Sequence, residues 1–162
     1  MKRRSFILGA PSLLAAPAVA GLVAPFFGEM LIVGFRGRTP DDPGVARAGE
    51  MLNRGEAAGV IIMGENVSSP GQLRSLTEFF RNSSPLTPII SIDQEGGQVA
   101  RLGPKNGFLR WASAAEVAGS AGPEEARSYY AERAAEMAGA GINLNYGPVM
   151  DLNINPKNPV IG

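Results

Sequence analysis

The stretch Ile92-Asp93-Gln94-Glu95-Gly96-Gly97-Gln98-Val99-Ala100-Arg101-Leu102 gathers two carboxylates, an arginine and adjacent glycines within a few residues. It begins at the end of an apolar run, Pro88 to Asp93. A carboxylate placed where a strand stops can accept hydrogen bonds from the hydroxyl groups of a ligand. Arg101 could reach back over the same ligand or pair with a carboxylate. Gly96 and Gly97 permit a tight turn with positive φ. The same residues also fit a plain architectural account, in which Asp93 caps a turn and Arg101 lies on the surface. Spacing alone leaves both accounts open. Asp151, at the end of a later apolar run, is a weaker candidate, for which anchoring a buried loop is at least as good a role. Glu65 and Asn66 follow another such run and face the same way, but no motif supports them.

Composition narrows the chemistry. The chain has 162 residues with 15 Lys and Arg against 15 Asp and Glu, so nothing suggests a polyanionic partner such as nucleic acid. It holds no Cys, which excludes disulfides and thiolate chemistry, and no His, which removes the commonest metal ligand and the side chain that titrates most readily near neutral pH. At the N-terminus, Lys2-Arg3-Arg4-Ser5-Phe6-Ile7 sets twin arginines ahead of an apolar stretch that closes on Ala18-Val19-Ala20. Residues 1–20 therefore read as a twin-arginine-like export signal, and the protein is expected to be periplasmic or secreted. Pro11 and Pro17 interrupt the stretch, so no stable membrane span is expected once the signal is removed. Cleavage after Ala20 takes away three basic residues and no acid, leaving a mildly acidic chain.

The elements that must position the motif alternate in period. Met30 to Phe35, Gly59 to Met63, Pro88 to Asp93 and a segment within Ile142 to Asp151 read as strands, apolar throughout and so expected to be buried on both faces. Between them, Val45 to Ala58 shows helical spacing at Val45, Ala48, Met51 and Leu52. Ser69-Pro70 opens a second helix with Leu73, Leu76, Phe79 and Phe80 as its buried stripe. Trp111 to Ala121 is ambiguous, and Pro123 to Ala140 is a strong helix halted by Gly141. Repeated βα units of this kind predict an α/β fold with a parallel sheet. An open doubly wound sheet and a TIM barrel both satisfy the pattern. A closed barrel takes eight strands and about 250 residues, so four strands standing alone favour the open sheet.

The motif itself resembles the signature of family 3 glycoside hydrolases in the β-N-acetylhexosaminidase branch, where a strand runs into Asp-Gln-Glu-Gly-Gly-Arg-Val-x-Arg. Gly28 to Phe35 resembles the family's first barrel strand, and Tyr146 to Leu152 with Asn155 to Gly162 resembles its fourth. The resemblance implies that residues 28–162 are a partial N-terminal domain, the first half of a TIM (β/α)8 barrel with about four parallel βα units. It implies that Asp93 and Arg101 bind sugar and that the ligand is a β-linked N-acetylglucosamine glycan, with no cofactor. Asp93 and Glu95 look like the acid pair of a retaining glycosidase, whose carboxyls stand about 5–5.5 Å apart across the scissile bond. They flank one turn of backbone, however, and are expected on the same side of the sugar, with Glu95 hydrogen-bonded inside its loop. The family's usual Arg is Gln98 here, a departure that could weaken the loop.

In that branch the nucleophile is a late Asp, and a His–Asp pair on a mobile loop transfers the proton. No residue of this chain takes either role, so a truncated, inactive and marginally stable half-barrel is the expectation. A sugar-binding remnant without catalysis and a β-glucosidase-type family member are the alternatives. An unrelated open α/β domain is disfavoured, because Gly96-Gly97 lacks the G-x-G-x-x-G spacing of a phosphate loop.

Overall fold

A computed structural model describes residues 27–155 together with Lys157, Asn158 and Val160. The export-signal reading of residues 1–20 lies outside them. The elements run β1 (Ile32–Gly34), α1 (Pro43–Asn53), β2 (Gly59–Ile62), α2 (Pro70–Ser83), β3 (Ile89–Ile92), α3 (Ala114–Ser120), α4 (Pro123–Gly139) and β4 (Leu144–Asn145). Single 3-10 turns at Gly64–Asn66 and Pro104–Asn106 follow β2 and precede α3.

Helix starts follow side-chain chemistry. Pro43 sets the first turn of α1, while Asp42 accepts hydrogen bonds from the N–H groups of Arg38 (2.7 Å) and Thr39 (2.9 Å) and closes the preceding loop. Those donors hold the Asp42 carboxyl below its usual range. In α2 the Ser69 hydroxyl accepts from the Gln72 N–H at 3.2 Å, with Pro70 next in line. The ambiguous stretch before α4 resolves into the short helix α3 through a reciprocal cap. Ser113 Oγ accepts from Glu116 N–H at 3.2 Å, and Glu116 accepts from Ser113 N–H at 2.9 Å. Helix α1 ends at Asn53, short of the expected Ala58, because Gly55 turns the chain at positive φ.

The sheet is parallel throughout, in the order β1-β2-β3-β4. Each strand pairs with the next in sequence, so every crossover steps the same way. A doubly wound sheet reverses direction at a switch point; an arc of a TIM barrel does not. The open-sheet reading therefore gives way to the first four βα units of a barrel.

The two faces of the sheet differ: β3 is buried on both, as expected, Ser91 included, whereas the inner face of β1, β2 and β4 is only partly covered. Val60, Ile62, Ile90 and Ile92 are fully buried against Val45, Leu52, Leu73, Leu76 and Phe80 of the helices. Side chains alternate along a strand, and the register lines up Gly34, Ile61, Ser91 and Leu144 in one row on the opposite face. Ile61 and Leu144 in that row are half-buried and Gly34 is exposed. This is the face that lines the inside of a barrel.

Strand β4 is two residues long, and side chains reinforce the main-chain bonds from Asn143 N–H to Ile90 C=O (3.0 Å) and from Tyr146 N–H to Ile92 C=O (3.1 Å). The Asn143 amide accepts from Ile90 N–H at 2.8 Å and donates to Pro88 C=O at 2.9 Å. Asn145 accepts from Gln94 N–H at 3.0 Å and donates to Gln94 C=O at 2.9 Å. Helix α4 buries Met137 alone along its length. Its end is fixed by Thr77 Oγ1 donating to Ala140 C=O at 2.9 Å and Arg81 donating to Gly141 C=O at 2.8 Å.

This division of the core sets a stability contrast. Leu76→Ala, at a fully buried site under the sheet, is expected to cost about 2–5 kcal/mol in urea unfolding. Leu86→Ala, where the side chain is 74% exposed, is expected to stay within about 0.5 kcal/mol.

Candidate functional site

Asp93 is the first residue after β3. It lies two positions beyond Ser91, so alternation places it on the inner face, at the carboxyl end of the strand. Its Oδ2 accepts a hydrogen bond from a terminal nitrogen of Arg101 at 2.7 Å. Each side chain keeps about a quarter of its surface accessible (26%). The pair is thus charge-assisted and oriented, yet open to a ligand.

The loop between the two is built by a residue that sequence reading passed over. Gln94 is fully buried. Its Oε1 accepts from the N–H groups of Arg101 (2.6 Å) and Leu102 (2.9 Å), while Nε2 donates to Leu102 C=O (2.9 Å). With Asn145 on its main chain, Gln94 joins β3, β4 and the returning loop in one network. The available signal was an uncharged amide wedged between two charged candidates, a position where burial rather than ligand contact explains the residue type.

The turn itself uses the glycines. Gly96 and Gly97 have φ of 99° and 57°, and Gly96 and Val99 exchange backbone hydrogen bonds. A Cβ on Gly96 would come within 2.0 Å of Ala112 C=O. None of the ties described here uses Gln98, an exposed residue.

Glu95 is half-buried and lies on the same side as Asp93, as expected, with the Asp93 carboxyl as its hydrogen-bond partner. Its carboxyl faces Asp93, and burial, then the Asp93 carboxyl, then the Asp151 charge push it above the usual glutamate range, with Arg101 opposing. Asp151 is exposed and close enough to act on Glu95. Glu65 is exposed, and its main-chain carbonyl accepts from Arg38. Asn66 is fully buried and architectural: it accepts from Met63 N–H at 2.9 Å and donates to Phe35 C=O (3.2 Å) and Gly37 C=O (2.9 Å). The structure thus brings Asp93, Arg101, Glu95 and Asp151 together, while the contacts of Asn66 and of the Glu65 main chain hold the loops after β1 and β2.

A sequential parallel sheet with a charged pair at its carboxyl end defines an α/β protein of the TIM-barrel kind. Residues 28–162 match the Glycosyl hydrolase family 3 N terminal domain, and the chain belongs to that family. It is 31% identical to beta-hexosaminidase A of Pseudoalteromonas piscicida, over 97% of this chain and 29% of that protein. It is 32% identical to a beta-hexosaminidase of Pseudomonas aeruginosa, over 70% of this chain and 33% of that protein. Among solved structures it resembles a family 3 beta-N-acetylglucosaminidase from Paenibacillus sp. at a TM-score of 0.74 and 31% identity, covering 86% of this chain and 26% of that one. The chain spans about a third of the length of the curated relatives it matches.

Two outcomes test this description of the loop. Gln94→Leu keeps the volume but strands the Arg101 and Leu102 N–H groups, and is expected to lower stability by about 1–3 kcal/mol in urea unfolding. Glu95 binds its proton more tightly folded than unfolded. Its contribution is therefore full below the ordinary glutamate pKa and is lost as pH rises from that value through the raised folded one. Melting temperature is expected to fall across that window, and Glu95→Gln to remove that part of the fall; an unchanged profile would refute the Glu95 environment.

Proposed function

We propose that this chain forms the substrate-binding side of a family 3 glycoside hydrolase that removes terminal β-linked N-acetylhexosamine from glycans such as peptidoglycan or chitin fragments. The observation that carries the reading is the Asp93–Arg101 pair, a quarter exposed at the carboxyl end of β3 (26%). A carboxylate so placed accepts from two sugar hydroxyls, and the guanidinium holds it in one orientation. The names of the relatives support the choice of sugar. Retention goes with the covalent glycosyl-enzyme that an Asp nucleophile of the kind the family resemblance implies would form, and that chemistry needs no cofactor. The role proposed for these residues is to bind and orient the sugar, and the proton transfer that the family resemblance assigns to a histidine is no part of it. Export to the periplasm or beyond fits the twin-arginine stretch, and among the described residues no helix is long and apolar enough to cross a membrane.

The test is hydrolysis of p-nitrophenyl β-N-acetylglucosaminide by the full-length enzyme. Asp93→Asn and Arg101→Met are each expected to lower kcat/KM about ten- to a hundredfold, the loss of one hydrogen bond to a charged group. The corresponding glucoside is expected to turn over more slowly. Rates indifferent to both substitutions would overturn the assignment of these residues, and preference for the glucoside would overturn the choice of sugar. Binding of N-acetylglucosamine without turnover would point to a sugar-binding remnant.

A further inference from the structure

Tyr146 lies on the inner face of the sheet but has no part in the charged pair. Ser91 and Leu144 are partners across β3 and β4, and Asp93 and Tyr146 each lie two residues further on. The ladder reaches that far, because the Tyr146 N–H donates to Ile92 C=O at 3.1 Å. Alternation therefore sets Tyr146 beside Asp93, with main chains about 4.8 Å apart, the spacing of neighbouring strands. Asn145 fixes this alignment by holding both main-chain groups of Gln94. Arg101 stands on the other side of Asp93. Its Cδ is 4.0 Å from the position that a Cβ on Gly64, just past β2, would take. Asp93 is thus flanked by a guanidinium towards β2 and by a phenol ring towards β4.

The ring is anchored at its tip and open on its face. The Tyr146 hydroxyl donates to Ser91 Oγ at 3.4 Å, and the Ser91 hydroxyl donates in turn to Val60 C=O at 3.0 Å. Ser91 is fully buried, and its single hydrogen is committed to Val60, so its oxygen serves Tyr146 as an acceptor. The ring therefore leans back over β3 at the foot of Asp93, yet 51% of the residue is exposed. The other two tyrosines of the chain are occupied. Tyr129 and Tyr130 meet edge to face, Arg133 covers the Tyr129 ring, and Trp111 tilts against Tyr130. Among the described residues no ring or cation covers Tyr146. The face of an aromatic ring is electron-rich, and the axial C–H bonds of a pyranose present the matching positive charge. An uncovered ring beside a few oriented polar groups is the mixture from which small-molecule sites are built.

We propose that the Tyr146 ring is the floor of the sugar site: a pyranose lies on it with a C–H face down, while Asp93 and Arg101 take the hydroxyls at its edge. The inference rests on the sugar-binding reading and adds a binding residue to it. The charged pair supplies direction, and the floor supplies apolar contact area that the pair lacks. Because the floor is neutral, it serves N-acetylglucosamine alike whether the next ring carries a carboxylate, as in peptidoglycan, or none, as in chitin.

Kinetics of the full-length enzyme on p-nitrophenyl β-N-acetylglucosaminide test the floor through variants at Tyr146 and Asp93. Tyr146→Leu keeps an apolar side chain but removes the aromatic face. It is expected to raise KM about three- to tenfold, the range of one aromatic contact, with a smaller change in kcat. Tyr146→Trp restores a face and is expected to recover most of that loss. It also supplies a reporter, whose emission is expected to change on saturation with N-acetylglucosamine by more than that of the unmodified enzyme. Tyr146→Phe keeps the ring without its Ser91 anchor and is expected to fall between the two. An unchanged KM in Tyr146→Leu would overturn the floor and leave the Asp93–Arg101 reading standing. Equal losses in all three variants, seen in kcat and in urea unfolding but not in KM, would reveal a packing role and overturn it too. A raised KM in Tyr146→Leu with Asp93→Asn unaffected would keep the floor and remove the pair. An unmodified enzyme indifferent to N-acetylglucosamine would overturn both.

Discussion

The buried amide of Gln94 is the constraint on which the site depends. A carboxylate and a guanidinium on one flexible loop would adopt many arrangements, and ordering two such side chains carries an entropy cost that an exposed ion pair barely offsets. Gln94 removes that freedom by fixing the main chain on both sides of the pair. Its Oε1 receives the Arg101 and Leu102 N–H groups, and its own N–H and C=O are taken by Asn145. The Asp93–Arg101 contact is therefore delivered by backbone already in place. The two glycines complete the arrangement, since Gly96 passes too close to Ala112 for any side chain.

Beneath the loop, the sheet divides labour between its faces. The fully buried row of Val60, Ile62, Ile90 and Ile92 packs against the helices and forms the sheet's share of the core. The opposite row, Gly34, Ile61, Ser91 and Leu144, is smaller and more mixed, and it leads directly into Asp93. A residue that continues the inner row past the end of a strand is presented at the rim with no further structure needed. The position of the site thus follows from strand parity and strand length.

Much of this was legible from the residues. Helices α2 and α4 began where Ser69-Pro70 and Pro123 placed them, because a cap and a proline act locally. Strands β2 and β3 were found near their expected bounds as apolar runs. Position in the sheet was less legible. An apolar run does not reveal whether one face or two is covered, so Ile61 was expected to be buried and is only half so. Strand order was also hidden, since local periodicity is the same in a barrel and an open sheet. At the site, Asp93 and Arg101 stood out by charge. Gln94 and Asn145 did not, because their importance comes from partners distant in sequence (51 residues for the Gln94–Asn145 contact). Glu95 was expected on the side of Asp93, and its carboxyl partners Asp93 there, since two residues one apart around a single turn cannot be separated far.

The fourth strand raises a different matter, the choice of register during folding. Parallel strands can slide by two residues without changing which side chains face the core. Ordinary apolar strands oppose such a slide only through packing. Here Asn143 and Asn145 clasp the main chain of Pro88, Ile90 and Gln94 at single positions. A slide in either direction would part both amides from their partners while leaving hydrophobic alternation intact. The two asparagines act as a key for one alignment, so that β4 arrives beside β3 only where Gln94 is ready to receive it.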